Sequence, residues 1–225
     1  MSEKKQAVII GATGNLGRAV CDALTREGYA VDPLWQDEQH PDATKASSYD
    51  SLPDTIHVAA YLAGVNAVED TQHLPEEVWD RVIDTNLKGA FLFAKAAYPK
   101  MVAAENAVFI GVSSINALHP YPKRAAYAAS KAGLEGFIRE LAVEWGGDGI
   151  STHGIRLGHL EGLMKSTKAN PAMLDAVRER TPSHTLIPPE AVAEYIVWLA
   201  SGGAKYTSGT IIDFDPAYTL NRWPL

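Results

Sequence analysis

The chain has one cysteine, Cys21, so no disulfide can close within it. A chain of 225 residues, 46% of them hydrophobic, can bury a core that needs neither disulfide nor metal. A reducing compartment fits this, and the cytoplasm is the expected location. Long apolar runs are also missing. No stretch approaches the roughly 20 residues that a membrane-spanning helix requires. Met1 to Gln6 is polar and leads straight into an apolar strand, with no secretory core. No membrane association is therefore expected. Basic excess is absent as well: 20 Lys and Arg stand against 27 Asp and Glu, a net charge of -7. There is no stripe to follow a phosphate backbone, so nucleic acid is not an expected partner. No His/Cys/Asp spacing suggests a metal site. No internal repeat, low-complexity tract or linker divides the chain, and residues 1–225 read as one domain.

What is present is alternation. Ala7 to Ile10 is a short apolar run ending at glycine, the pattern of a buried parallel strand. Arg18 to Gly28 has helical spacing, with Leu16, Val20, Ala23 and Leu24 on one face. Tyr29 to Val31 reads as a second strand. Residues 32–55 are polar and hold Pro33, Pro41 and Pro53, so a loop is expected there. Ile56 to Leu62, Ala107 to Val112, Gly154 to Leu157 and Thr210 to Phe214 read as further strands. Pro75 to Met101, Ala125 to Trp145, Pro171 to Arg180 and Pro189 to Ala200 read as helices. Strands alternating with helices imply an α/β fold: a Rossmann-type, doubly wound parallel sheet with helices on both faces.

Two segments carry chemistry. Gly11, Gly14 and Gly17 fall between the first strand and the first helix. Without a Cβ the chain turns tightly, and backbone N–H groups at the positive helix end can meet a diphosphate. The glycine string alone is weak; the strand before and helix after supply its context. Further on, Tyr127 and Lys131 stand four residues apart in a helix, on one face. An ammonium beside a phenol lowers its pKa and lets it exchange a proton with a substrate oxygen. Alone, that spacing more often marks a solvated helix face. Ser114 follows a strand at the sheet edge where open α/β sheets bind ligands, although a capping hydroxyl is its bland reading.

Together these segments resemble the short-chain dehydrogenase/reductase family over nearly the full chain. Leu62-Ala63-Gly64 is similar to the family's Asn-Asn-Ala-Gly strand end, with Tyr61 and Leu62 replacing the asparagines. Asn86 matches the helix asparagine, Val112-Ser113-Ser114 the serine segment, and Tyr127 with Lys131 the Tyr-x-x-x-Lys pair followed by Ala-Gly. Tyr206 to Thr210 resembles the last turn and strand. The resemblance implies a catalytic set of Asn86, Ser114, Tyr127 and Lys131. Tyr127 would be the acid in reduction or the base in oxidation, and Lys131 would lower its pKa and hold the nicotinamide ribose. Ser114 would bind the substrate oxygen, and Asn86 would hold a water linking Lys131 to solvent. A backbone-satisfying amide is the other reading of Asn86. Dinucleotide contacts are implied for Gly11, Thr13, Asn15 and Leu16 at the turn. Trp35 falls at the ribose end, Ala63 and Gly64 after the third strand, Tyr127 and Lys131 in the centre, and Gly158 and Leu160 beyond the later strand. Ser114, Asn116, Tyr121 and Tyr127 would face substrate.

The departures matter too. Near Trp35, where the 2′ position of the ribose is read, there is no acid and no adjacent Lys or Arg; the cofactor is NADP or NAD, with a lean to NADP because no carboxylate would repel a phosphate. Arg18 could meet that phosphate. The stretch from Asp32 to Ile56 is short for the family, so a helix there reduces to a turn, leaving a face open or covered by a partner. Gly162 stands where the family has a carboxamide-binding threonine. His153 and His159 read as surface residues. Leu160 to Thr181 could be a lid, and Leu160, Leu163 and Met164 suggest a partly apolar substrate or a small helix core. The implied activity is NAD(P)-dependent reduction of a carbonyl or oxidation of an alcohol. An epimerase or dehydratase with transient oxidation, or a non-catalytic dinucleotide sensor, are the alternatives. A homodimer or homotetramer is implied, with the helices at 75–101 and 125–145 at the interface.

Overall fold

The apolar run after residue 5 forms β1 (Gln6–Ile10). In this computed structural model, which describes residues 4–34, 42–162 and 171–221, Ala7, Val8, Ile9 and Ile10 are completely buried. That is expected of a strand covered on both faces. The chain turns at the glycines into α1 (Asn15–Arg26), whose Leu16, Val20, Ala23 and Leu24 face the sheet. β2 (Ala30–Leu34) follows and runs further than its apolar residues suggest, through Pro33. It is the edge strand, paired only with β1 among the described residues. An edge tolerates a residue that donates no ladder hydrogen bond.

β3 (Val58–Tyr61), β4 (Val108–Ser114), β5 (Ser151–Leu157) and β6 (Ile211–Phe214) complete the six strands of the described residues. All pair in parallel, in the order β2-β1-β3-β4-β5-β6. The winding reverses between β1 and β3. Open parallel sheets bind ligands at that reversal, beyond the carboxyl ends of the strands.

Helices cover both faces. α2 (Glu76–Ile83) leads through a π turn (Asp84–Lys88) into α3 (Gly89–Val102). α4 (Ala125–Trp145) lies beside α3, and α5 (Pro171–Arg180) and α6 (Pro189–Ala200) follow. α1 and α6 bury Val20, Leu24, Val192 and Ile196 with Ile110 and Ile155 of the sheet. On the other face α3 and α4 bury Phe93, Leu134 and Ile138 with Ile10 and Phe109. Each fully buried aliphatic side chain contributes about 1.5–3 kcal/mol. The expected long helix from Pro75 is present, but its register slips at the π turn. Between β2 and β3 the described residues hold one 3₁₀ turn, Ala46–Tyr49. Tyr49 is buried there, its ring 5.6 Å from that of Phe93. Tyr49 thus covers part of that face from within the chain.

A buried ionic link unmarked by any sequence motif joins α4 to the sheet. Arg156 of β5 donates from Nη2 to Glu135 Oε2 at 2.6 Å and from Nε to Glu135 Oε1 at 2.9 Å. Its Nη1 reaches Asp213 Oδ1 of β6 at 2.5 Å. Ser113 Oγ of β4 donates to Glu135 Oε1 at 2.9 Å. Glu135 lies one helical turn beyond Lys131, so this network anchors the helix that carries the pair.

Candidate active site

The carboxyl ends of β1, β3, β4 and β5 meet at one edge, and the candidate residues collect there. Gly11 has φ +89°, and a Cβ on it would lie 2.7 Å from Ala63 N. The turn therefore leans directly on the loop after β3, which only glycine permits. Gly14 caps α1 without a side-chain hydrogen bond, and the first turn holds no acid. A Cβ on Gly14 would meet nothing nearer than Gly11 O at 3.7 Å. The fold itself does not demand a glycine at that point. The N–H groups of the helix start receive no side-chain cap, which suits a diphosphate. Thr13 and Asn15 are exposed beside this cradle. The side chain of Leu16 is in the core, so only its backbone faces the turn. Asn15 Nδ2 donates to Gly162 O at 2.8 Å, and Arg18 Nη2 to Asn15 Oδ1 at 2.9 Å. Gly162 thus contributes a backbone carbonyl where a threonine side chain was sought.

Tyr127 and Lys131 share a face of α4, with Nζ 5.8 Å from the tyrosine ring centroid. Lys131 is buried, and its Nζ donates to Val112 O at 2.7 Å. Burial pushes its pKa down from 10.5 to about 8. Burial pushes Tyr127 the other way, upward, against a hydrogen bond from Ser114 and the charge of Arg124. On balance the phenol's pKa is raised by its desolvation. Desolvation dominates at both groups, and one N–H of the Lys131 ammonium is directed to the Val112 carbonyl. At neutral pH the phenol carries its proton.

Strand alternation separates the two serines. Ser113 bonds Glu135 beneath α4, while Ser114 is on the site side, close enough to Tyr127 to act on its pKa. Asn116 braces Ser114: its N and Nδ2 donate to Ser114 Oγ at 3.2 and 3.4 Å, and its Oδ1 accepts from Tyr121 N at 3.3 Å. Asn86 is fully buried at the π turn. Its Nδ2 donates to Val65 O and to Ser130 Oγ, both at 2.9 Å, and its Oδ1 accepts from Val65 N at 2.8 Å. Both amide hydrogens are occupied, which is the backbone-satisfying reading. Only a second lone pair on Oδ1 is left for water, near Lys131. A Cβ on Gly64 would lie 3.3 Å from Lys131 Nζ and 3.4 Å from Asn86 Oδ1. Tyr61, in an asparagine's place, donates its hydroxyl to Thr85 O inside the π turn. A Cβ on Gly89 would strike that hydroxyl at 2.3 Å, so the Tyr61 replacement and Gly89 belong together.

Several expectations fail for reasons of packing. Leu160 bridges Ile187 and is buried in the core, so its side chain cannot line a substrate pocket or a cofactor site. His153 is buried on β5, and desolvation pushes its pKa to about 4. His159 is half-buried and bonded to Tyr121, so neither histidine is a surface residue. Tyr121 directs its hydroxyl to Tyr218 and His159. Gly158 lies against Asp215, where a Cβ would come within 2.8 Å of the aspartate's own. Trp35, Leu163 and Met164 lie outside the described residues, as does the middle of the proposed lid. Glu69, Asp70 and His73 are close enough together to hold a cation, but Asp70 is engaged by Lys123 at 2.9 Å. Ser130, Val65, Tyr218, Arg124 and Arg180 were not singled out from sequence. Their roles come from neighbours distant along the chain, except that Arg124 could have been noticed one turn before Tyr127.

Comparison with known proteins agrees with this geometry. The family described as enoyl-(acyl carrier protein) reductase matches residues 36–219. A 3-oxoacyl-acyl-carrier-protein reductase of Thermotoga maritima is 28% identical over 95% of this chain and 97% of its own. A 3beta-hydroxysteroid dehydrogenase of Eggerthella lenta is 28% identical over 96% of this chain and 94% of its own. Among solved structures, the aldohexose dehydrogenase of Thermoplasma acidophilum superposes with TM-score 0.91 at 21% identity, over 99% of this chain and 96% of that one. That likeness concerns the fold alone. No helix of the described residues is long and apolar enough to cross a membrane.

Proposed function

We propose, because the chain belongs to the short-chain dehydrogenase/reductase family, that residues 1–225 form one NAD(P)-binding domain whose enzyme activity passes a proton between Tyr127 and a substrate oxygen. The protein is an NAD(P)-dependent oxidoreductase of that family. One observation carries the residue assignment: a half-buried Tyr127, still protonated, beside Ser114 and one turn from a buried Lys131. The bound dinucleotide supplies or accepts the hydride. Its diphosphate would rest on the backbone of Gly11, Thr13, Asn15 and Leu16. Ala63, Gly64, Gly158 and the backbone of Leu160 would border it, and Lys131 would hold its ribose.

In reduction, the Ser114 hydroxyl donates to the carbonyl oxygen and fixes its place beside the phenol. Tyr127 then gives its proton to that oxygen as negative charge develops. Asn116 holds the Ser114 hydroxyl in line. Asn86 clamps the Val65 backbone, which keeps the loop after β3 against Lys131. The experiment is oxidation of NADPH or NADH on addition of a panel of ketones and aldehydes. Turnover with at least one is expected; a panel inert with both cofactors would end the reading.

NADP is the preferred cofactor in this reading, supported by the absence of an acid at Trp35 and by exposed Arg18 at the start of α1. Titration by nicotinamide fluorescence should give tighter binding for NADPH than for NADH. The same titration tests Lys131. Its pKa lies below the ordinary 10.5, so its ammonium is present below about 8 and lost above it. Affinity should fall as pH rises through about 8, and Lys131→Met should remove that dependence. A flat profile in the unmodified protein would contradict the assignment.

The assembly is a homodimer in the cytoplasm, with α3 and α4 meeting their copies. Phe91 and Val143 are exposed on these helices, with Phe137 6.2 Å from Phe91, ring to ring. Apolar surface of that kind is commonly covered by a partner. Phe91→Glu should shift the mass measured by light scattering from dimer to monomer. A monomer before substitution would exclude the proposed interface.

A further inference from the structure

Beside the reacting atoms lies a group of side chains that proton transfer does not use. Tyr121 hydrogen-bonds the Tyr218 hydroxyl at 2.8 Å and His159 Nε2 at 3.1 Å. The His159 ring stands edge-on to Tyr218, centroids 4.6 Å apart. A guanidinium lies over each tyrosine: Arg180 is 4.6 Å from the Tyr218 centroid, and Arg124 is 6.0 Å from that of Tyr121. The loop before α4, the loop after β5, α5 and the C-terminal segment all contribute. Ile115, Leu174 and Leu186 form the apolar floor. Backbone and amide bonds run from Tyr121 through Asn116 to Ser114, so the cluster is built onto the reacting centre.

Neither arginine of this cluster has a carboxylate beside it to neutralise it. Among the described residues no carboxylate is within ion-pair distance of either. Their chain neighbours are neutralised: Lys123 pairs with Asp70 at 2.9 Å, and Arg178 with Asp175 at 3.3 Å. Asp215 acts on His159, but its Oδ2 is taken by Thr219 N and Oγ1. His159 adds no charge, since burial and then the two guanidiniums push its pKa down to about 4. Arg124 acts on Tyr127 as well, so it is within electrostatic reach of the reacting oxygen.

Two cations held over aromatic faces, unpaired and next to a carbonyl-binding serine, form a receptor for an anion. Arginine suits a carboxylate because its planar fork matches both oxygens, and the ring beneath limits the freedom lost on binding. We propose that Arg124 and Arg180 bind a carboxylate of the substrate, so that the compound reduced is a small oxo acid with its carbonyl oxygen on Ser114 and Tyr127. This rests on the oxidoreductase reading above and gives it a substrate class.

The test uses the whole protein with NADPH and pairs of probes: pyruvate with methyl pyruvate, and levulinate with methyl levulinate. Methylation removes the charge and keeps the ketone. At least one acid should exceed its ester in kcat/KM by about ten- to a hundred-fold, the range of a hydrogen bond to a charged group. Arg180→Gln should erase most of that preference through KM, with kcat on the acid little changed. Arg180→Lys should keep part of it. Arg180 is exposed on α5, so loss of folding is not expected, and thermal melts would verify that. Esters equal to or better than their acids, or a preference untouched in Arg180→Gln and Arg124→Gln alike, overturn the proposal. If neutral ketones react and both acids are inert, the carboxylate site is wrong and the oxidoreductase reading stands. If no carbonyl compound reacts, both fall together.

Discussion

Replacing Tyr127 with phenylalanine should lower kcat by about 10²- to 10⁴-fold, the usual contribution of a positioned acid or base. The ring stays and only the hydroxyl goes, so α4 should hold its packing. Dinucleotide affinity should hardly change, because Lys131 and the glycine turn are untouched. The size of the effect follows from the site. Tyr127 is desolvated, and its pKa is raised above 10.0. It is therefore a fully protonated donor at neutral pH, and among the described residues no other acid is placed beside Ser114 to donate instead. Asn116 already directs its Nδ2 to Ser114 Oγ, and an amide is no acid. Ser114→Ala should cost less, since it removes a hydrogen bond and leaves the proton source. A Tyr127→Phe variant that turns over at an unchanged rate would sink the assignment of the acid.

The second large effect is on stability. Truncating Arg156 to alanine should destabilise the fold by about 3–5 kcal/mol, because it leaves Glu135 buried without its main counter-charge. Total stabilities are about 5–15 kcal/mol, so that is a large share. Side-chain exposure is 9% for Arg156 and 6% for Glu135, hence solvent does little to screen the pair. Asp213 is half exposed and adds little. Arg139 lies 3.6 Å from Glu135 Oε2 and softens the loss somewhat. The double variant Arg156→Met, Glu135→Leu should recover much of the stability, since well-packed apolar residues often replace a buried pair without penalty. Denaturant unfolding measures both, with unchanged slope as the sign that only stability moved. A loss below about 1 kcal/mol in the single variant would show that the pair is not desolvated as described.

Where sequence reading succeeded, the signal was local. α4 and α6 run between the residues expected of them, because their apolar spacing and flanking prolines or glycines lie within the helix itself. The pairing of Tyr127 with Lys131 needed only the pitch of one helix. β2 was missed in part because Asp32 and Pro33 look like loop residues, and an edge strand tolerates both. The π turn at Asn86 was invisible, since nothing in Asp84 to Lys88 interrupts helical spacing. Tyr61, on a different element, supplies the hydroxyl that caps the released carbonyl. The histidines were misplaced for a similar reason. A polar type suggests solvent, but His153 is buried in β5, an interior strand of the sheet between β4 and β6.

The order of strands and helices, the edge where the site forms, and the face shared by a phenol and an ammonium were all determined by residues a few places apart. Periodicities of two and of 3.6 residues encode them, and these are properties of any short stretch of backbone. Tertiary structure alone decided which donors are spent and which charges are unpaired. Asn86 is consumed by Val65, and Lys131 turns to Val112. Arg156 meets Glu135 and Asp213, whereas Arg124 and Arg180 meet no acid among the described residues. Such outcomes depend on distance and burial between segments far apart along the chain, and the energy of a charge depends on both.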